Sequence, residues 1–528
     1  MRSSMDHALL FIHLILLLPR LSRAVPNNPL DQRDQNAAVK ACRILNESFP
    51  HLVSFLGSSQ YSTDIDHYAA ASIENSTCTI EPASSGDVGE IIKIIGRSDI
   101  RAPFAIKSCG HAYVPGHSST LGVQISMARF TNINVNKEEN TVTIGVGNTW
   151  DTVYEQLSPL GLTVTGGRIP GVGVGGLSLG GGYSWITNEY GLVIDNILSH
   201  ELILPNGTKV STSNSSNPDL FFALKGGLNN FGIVTEITLK AIPQAQIYGG
   251  RIIYSGDVLD QVIDTASNFS NQNTDTKAQM QIIFIIENGQ LTMDAQFCYN
   301  SPIEAPELFT PFLSIPSNSS DMKLRTIDDL VSSFGGTNLE LGPFGFVGHV
   351  IPITKYSRSL LEEMVSQAFL MEQRLKIRLP DQEFFTHIVA EPFINPNAYS
   401  LGGAYAHPPD RPVGPASPEV FYASDPTLTL CGSSFNFYLP FCLSIDTAER
   451  SALYNEFAEE IQAYSKIIQG RAVKEDLSRW DDLLYSNYAL QDTPLELLYG
   501  ENVPRLRRIA AEYDPEKVMA LTGGFRLQ

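Results

Sequence analysis

The sequence predicts an α+β protein of two domains, the first built around a glycine-rich ligand loop, and three observations carry this reading. The 528 residues, 43% of them hydrophobic, exceed what a single core organises. From Cys78 to Pro243 short strand-like and helical runs alternate, and from about Gln244 longer strand runs and longer helical runs replace them, the texture of an antiparallel sheet covered by helices. Between Gly166 and Gly182 lies GGRIPGVGVGGLSLGGG, where residues without a Cβ let the backbone take φ > 0 and bring N–H groups close to a bound pyrophosphate.

Residues 1–24 read as a secretory signal: Arg2 precedes the apolar run Ala8–Leu18, and Ser22-Arg23-Ala24 offers small residues at −3 and −1 of a cleavage site. That run is too short to cross a bilayer, and no later stretch reaches the roughly 20 apolar residues a spanning helix needs. A secreted or lumenal protein, mature from about Val25, is expected, with no membrane partner. Sequons at Asn46, Asn75, Asn206, Asn214, Asn268 and Asn318 fit that route. The formal charge of −20 repels nucleic acid and anionic membranes, which excludes both as expected partners. The expected working unit is a monomer.

Residues 25–73 are a helical lead-in, AAVKACRILNESF carrying apolar positions near helical spacing. In residues 74–243, the first domain, Val88, Ile91, Ile92 and Ile95 share a helix face, and FAIKSCGH is a strand running into a glycine turn. VQISMARF, NINVN and TVTIGVG are further strands, and Trp150, Val153, Tyr154 and Leu157 form the buried side of a helix. Asn206-Gly207 marks a hairpin, and PDLFFALKGGLNNFGIVTEITLK pairs a short helix with a closing strand. In residues 244–480, YGGRIIYS, AQMQIIFII, QLTMDAQFCYN, EFFTHIVAE and SSFNFYLPFCLSI read as strands, SRSLLEEMVSQAFLMEQRL and TAERSALYNEFAEEIQAYSKII as helices. The proline- and glycine-rich interval from Asn395 to Pro418 is expected as a long surface loop. Residues 481–528 contain a helix that periodicity does not place.

Within the glycine run, Gly171, Gly173 and Gly176 stand in GxGxxG register with Asp195 about 20 residues on, the outward form of the nicotinamide dinucleotide fingerprint. That fingerprint needs a helix to open at its third glycine. Here LSLGGG follows, and three successive glycines would unravel a first turn, so a phosphate-cradling loop of a different dinucleotide fold is expected, with tight β-turns as the bland alternative. Of six cysteines, Cys42 and Cys78 are expected to pair, Cys431 and Cys442 are placed to close a hairpin, and Cys298 is expected free. Cys109 reads as a small buried thiol beside the ligand.

Five stretches in order, RAPFAIKSCGHAYVPGHSS, GGRIPGVGVGGLSLGGGYS, YGLVIDNI, DLFFALKGGLNNFGIVTEITLK and YSNYALQDTPLELLYGENVPRLRRIAAEYDP, together resemble the berberine bridge enzyme-like group of FAD-linked oxidases, within the vanillyl-alcohol oxidase type of flavoprotein. The wording of the motifs is closest to the fungal branch acting on secondary metabolites. The resemblance implies a PCMH-type FAD-binding domain in two parts, residues 74–243 and 481–528, with the antiparallel-sheet substrate domain 244–480 inserted between them. It also implies the cofactor wall: Cys109, Gly110, His111, Tyr113, Gly167, Gly171, Val172, Gly173, Gly175, Gly176, Gly181, Gly182, Gly232 and Val234, with Lys225-Gly226-Gly227 and Asn230-Phe231-Gly232 completing the pocket. Asn487 and Tyr488 belong to a stretch resembling the family's Y-x-N-Y signature, begun by Tyr485; the acidic residue that normally follows is delayed to Asp492.

His111 matches the histidine that in this family bonds to the 8α carbon of the flavin, a step that needs an imidazole nitrogen as nucleophile. Doubly linked members carry a cysteine in a GxCPTVGVGG-like run; aligning Gly173-Val174-Gly175-Gly176 with its end places Ile169 there, so a single link through His111 is expected. Val172 occupies the position resembling the family's dioxygen gate, and its small side chain implies an oxidase. The implied mechanism is hydride transfer from a substrate C–H bond to flavin N5, assisted by a base, then reoxidation by O₂ to H₂O₂. Glu383, His387, Glu391 and Tyr438, on strand-like runs, are the candidate bases, although polar residues at alternate strand positions usually face solvent or a helix. The substrate is expected to be a small alcohol, amine or phenol; oxidative cyclisation, sugar oxidation and a redox-silent flavin-holding template are the alternatives. No metal is expected.

Overall fold

A computed structural model describes residues 30–334, 344–423 and 447–528. Residues 1–29, expected to hold a signal, and Cys431, Cys442, Tyr438 and the run SSFNFYLPFCLSI lie outside the described residues.

The lead-in forms the helix Gln32–Ser48, capped by Asp31 and burying Ala37, Ala38, Ala41, Cys42 and Leu45. Cys42 is bonded to Cys78 across a sequence separation of 36, a loop whose closure removes about 4 kcal/mol of unfolded-chain entropy. Cys78–Ile80 then runs parallel to Val123–Ser126, which is parallel to Phe104–Lys107. The helix Ser85–Gly96 is capped by Ser84 and buries Val88, Ile91, Ile92 and Ile95; Trp150–Leu157 buries Trp150, Val153, Tyr154 and Leu157. A second sheet, wholly antiparallel, orders Ile133–Asn136, Thr141–Gly145, Ile233–Lys240, Ile197–Ile203 and Lys209–Ser213, with Gly207 turning the hairpin at φ 81°.

The chain's end returns to this lobe. The helix Val503–Tyr513 buries Val503, Leu506, Ile509 and Ala510, Thr522 bridges Phe104, and Asn230 Nδ2 donates to the Phe525 carbonyl at 2.9 Å.

Between these parts runs a sheet of nine strands among the described residues, built from Ile247–Ser255 to Gly414–Ala423. Its strands obey period two. Met293, Ala295 and Phe297 join a core under the helices Leu259–Gln272, Arg358–Arg378 and Thr447–Lys474, each large side chain contributing about 1.5–3 kcal/mol on full burial. Thr292, Asp294 and Gln296 point the other way and line a cavity. Ile282, Phe284 and Ile388 repeat the first set, Gln281, Ile283 and His387 the second. The alternate polar positions therefore face an internal cavity rather than solvent or a helix.

Two expectations are corrected. A helix does open inside the glycine run: Val174–Leu179 starts from Gly173 and stops at Gly180, so the three glycines terminate the helix instead of unravelling its start. The nicotinamide reading still fails, because the preceding strand Leu162–Thr163 pairs antiparallel with Ile242–Pro243 and forms no parallel βαβ unit. The interval from Asn395 to Pro418 is not a surface loop throughout. The strand Gly414–Ala423 begins within it, and Tyr405 and His407 are buried, with His407 Nε2 3.1 Å from Asp195 Oδ1. Among the described residues no helix is long and apolar enough to cross a membrane.

Candidate active site

The inner face of the large sheet and the glycine loop enclose a cavity of about 670 Å³, inside the range of roughly 300–1,000 Å³ usual for small-ligand clefts. Cys109, Gly110, His111, Tyr113, Val172, Gly173, Gly175, Gly176, Gly232, Val234, Asn487, Tyr488 and Glu391 all line it. Gly167, Gly171, Gly181 and Gly182 do not, which corrects their expected place on the wall. Gly167 lies flat on Trp150, whose Cδ1 would be 2.7 Å from an added Cβ. Gly171 N–H donates to Asp151 Oδ1 at 2.9 Å, and Gly182 N–H donates to Tyr485 Oη at 3.1 Å. From Lys225 to Gly232, it is Leu228, Asn229 and Gly232 that reach the cavity; Gly226 instead packs against Tyr405.

His111 is turned inward by Gly110, which takes φ 74° at a point where a Cβ would stand 2.9 Å from the Asp66 carbonyl oxygen. Tyr68 stacks on the His111 ring at 4.2 Å, and burial pushes its pKa down to about 4, so the imidazole is neutral at physiological pH with a lone pair free for bonding. Burial raises the Cys109 thiol, whose Sγ–H faces the Gly147 and Asn148 carbonyls at 3.4 and 3.3 Å; it is not poised as a nucleophile.

These residues fit FAD. A Cβ at Gly173 would lie 2.8 Å from Ser108 Oγ, and one at Gly176 would meet nothing within 4 Å, so the loop presents bare backbone beside open room for a phosphate-bearing ligand. The carboxy-terminal segment locks the loop in place: Asn487 Nδ2 donates to the Leu177 carbonyl at 3.2 Å and to Tyr485 Oη at 2.8 Å.

The structure also assembles residues that the motifs did not single out. Arg168, inside the glycine run, forms a buried ion pair with Glu391 and donates to Gln281 Oε1 and Tyr488 Oη, both at 3.0 Å. Burial opposes its charge, but Glu391 and the tyrosines more than offset this and leave Arg168 raised; burial likewise pushes the Glu391 carboxyl up while Arg168 pulls it back. Along the sheet the wall divides. At one end Gln281 Nε2 donates to Gln296 Oε1 at 2.7 Å, and Gln296 Nε2 to Asp294 Oδ2 at 2.9 Å. At the other, Phe344, Phe346, Phe385 and Phe421 cluster with Tyr68 and Tyr113, and Tyr113 Oη donates to the Tyr488 carbonyl at 2.8 Å.

Of the candidate bases, Glu383 is exposed and away from the cavity, and Tyr438 lies outside the described residues. His387 sits in the aromatic end, its Nδ1 3.7 Å from Glu419 Oε2. Glu419 carries no motif and follows an interval that reads as loop, so only the strand alternation through Val420 and Tyr422 points to it.

Family models described as "FAD binding domain" and "Berberine and berberine like" match residues 76–213 and 484–522. A FAD-dependent monooxygenase of Aspergillus calidoustus is 29% identical over 97% of this chain and 95% of its own. A bifunctional solanapyrone synthase of Alternaria solani is 35% identical over 52% of this chain and 53% of its own. The crystal structure of a 6-hydroxy-D-nicotine oxidase from Arthrobacter nicotinovorans has the same fold, with a TM-score of 0.70 at 17% identity, covering 89% of this chain and 96% of that one.

Proposed function

The chain belongs to the berberine bridge enzyme-like group of FAD-linked oxidoreductases, and from that premise we propose that it is an oxidase of a small, largely apolar alcohol, amine or phenol. The observation that carries this reading is the cavity itself: bare glycine backbone and a neutral His111 on one side, and on the other a sheet wall that is aromatic at one end and polar at the other.

FAD, when bound, accepts a hydride at N5 and returns the electrons to O₂ as H₂O₂. His111 would hold it through one covalent link. Ile169, which lines the cavity where a second link would need a thiol, has no group to bond with. Val172, buried and on the wall, leaves room for dioxygen. Arg168 and Glu391 neutralise each other and tie the glycine loop to the sheet, so their part is to hold the two walls in register. The aromatic end supports an apolar substrate over a sugar, whose hydroxyls would stand unpaired against Phe344, Phe346 and Phe421 at a cost of about 1–3 kcal/mol each. Oxidative ring closure in the same cavity, triggered by the same hydride removal, is the second reading. The apolar leader, the Cys42–Cys78 bond and the exposed sequon residues Asn75, Asn206, Asn214, Asn268 and Asn318 support passage through the secretory pathway.

The test is acid precipitation followed by peptide mapping. Flavin is expected on the peptide containing His111 and on none containing a cysteine; a colourless pellet or a cysteinyl-flavin peptide overturns the single link. Turnover with isotopically labelled dioxygen then separates the chemistries: label in peroxide alone is the oxidase result, label in the organic product is that of a monooxygenase.

A further inference from the structure

Resting on that reading, we propose that His387, oriented by Glu419, is the catalytic residue that takes the substrate's hydroxyl proton, and that the substrate presents this hydroxyl on or next to an aromatic ring. His387 and Glu419 are direct cross-strand partners in the register of Phe384–Ala390 with Gly414–Ala423, so their side chains emerge on the same face, the face that lines the cavity. His387 Nδ1 points to Glu419 Oε2 at 3.7 Å, a spacing that closes readily when a charge develops on the ring, since catalytic hydrogen bonds are often long before substrate binds. The other nitrogen, Nε2, is buried and meets no protein partner. Phe385 and Phe421 flank the ring, with centroids at 5.2 and 4.6 Å, and fix its plane.

The remaining titratable groups around this end are engaged or disfavoured. Glu391 is held by Arg168. Tyr488 Oη accepts from Arg168, and Tyr113 Oη donates to a carbonyl. Burial, then the Glu419 charge, raises Tyr68. Asp294 is bonded to Arg251 and Gln296. With His111 assigned to the flavin, His387 offers a free lone pair beside an aromatic box, and a carboxylate behind it stabilises the imidazolium that proton transfer creates.

For an aryl carbinol the step balances as follows. The O–H bond breaks and its proton goes to Nε2 of His387; the freed electron pair forms the carbonyl π bond; the carbon's hydride leaves to the flavin, the two-electron acceptor. For a phenol, the same nitrogen takes the proton and the phenolate remains.

The phenol case gives a readout independent of turnover. 4-Nitrophenol absorbs to the red when ionised, so it is titrated into the holoenzyme and into His387→Gln and Glu419→Gln, with flavin content as the check that each variant has folded. The wild type is expected to bind it as phenolate at a pH where the free probe is largely neutral. His387→Gln is expected to lose that band at least tenfold, and Glu419→Gln to weaken it less. Absence of the phenolate band in the wild type, or an undiminished band in His387→Gln, overturns the proposal; retention in His387→Gln with loss in Glu419→Gln assigns the proton to Glu419 instead. A catalytic test that returns no oxidation leaves this spectral result intact, so failure of the oxidase reading is distinguishable from failure of the dyad.

Discussion

The two walls of the cavity are made in opposite ways. The glycine wall is one continuous run, in which Val172, Gly173, Gly175 and Gly176 reach the cavity from four of five consecutive positions and backbone does the work. The sheet wall is collected one side chain at a time, Arg251, Gln281, Thr292, His387 and Glu419 coming from five different strands. The first depends on what is missing, a Cβ; the second depends on register, since a slip of one residue would send every polar group into the helix-covered core. On the proposed reading, cofactor grip would belong to a local motif and substrate choice to a distributed one.

The strongest test strikes the bond between the walls. Arg168→Met leaves Glu391 buried without its counter-charge, which is expected to cost about 3–5 kcal/mol of unfolding free energy in denaturant titration; adding Glu391→Gln should recover most of it. If the single variant is as stable as the parent, the walls are not held by this pair.

Next in size, Gly173→Ala places a Cβ 2.8 Å from Ser108 Oγ and 3.0 Å from Cys109 Cβ. A loss of about 1–3 kcal/mol is expected, together with a lower flavin-to-protein ratio, whereas Thr292→Ser on the sheet wall should leave flavin content unchanged. Equal flavin loss in both variants would erase the distinction between grip and choice.

A third test addresses the imidazole behind the glycine lobe. His200 has Thr212 Oγ1 at 3.1 Å and no carboxylate opposite it; burial, then Lys225, pushes its pKa down to about 3. Between that value and 6.5 the unfolded chain binds a proton that the folded chain does not, so this contribution is fully present above pH 6.5 and is lost as pH falls. Replacing it by Gln should flatten the stability–pH slope in this window by about 1.4 kcal/mol per pH unit, measured by denaturant titration at several pH values.

What could be read from the sequence follows the same division. Helix faces such as Val88, Ile91, Ile92 and Ile95 were legible because period and burial coincide, and His111 was legible because Gly110 precedes it in a motif. The alternation of Thr292, Asp294 and Gln296 with Met293, Ala295 and Phe297 was legible too, but period two does not say which face meets a cavity. His387 and Glu419 are paired only by strand register, so no local pattern joins them. The interval from Asn395 was misread because proline and glycine signal turns, while its burial is decided by Tyr405 and His407 docking on Gly226 and Asp195. The glycine triplet was misread for its direction: it ends a helix that had already begun.

The return of the chain's last residues to the first lobe has a consequence for biosynthesis. Gly524 lines the cavity, Phe525 packs edge-on against His117 at 5.0 Å, and Gly523 lies so close to Gly116 that a Cβ would fall 1.7 Å from its carbonyl oxygen. On a chain made from the amino terminus, the loops that will hold the cofactor emerge long before the residues that seal them. The intervening sheet can fold while they wait, and the pocket is completed only once residues 523–525 have followed the sheet off the ribosome, which would place cofactor capture after synthesis of both lobes.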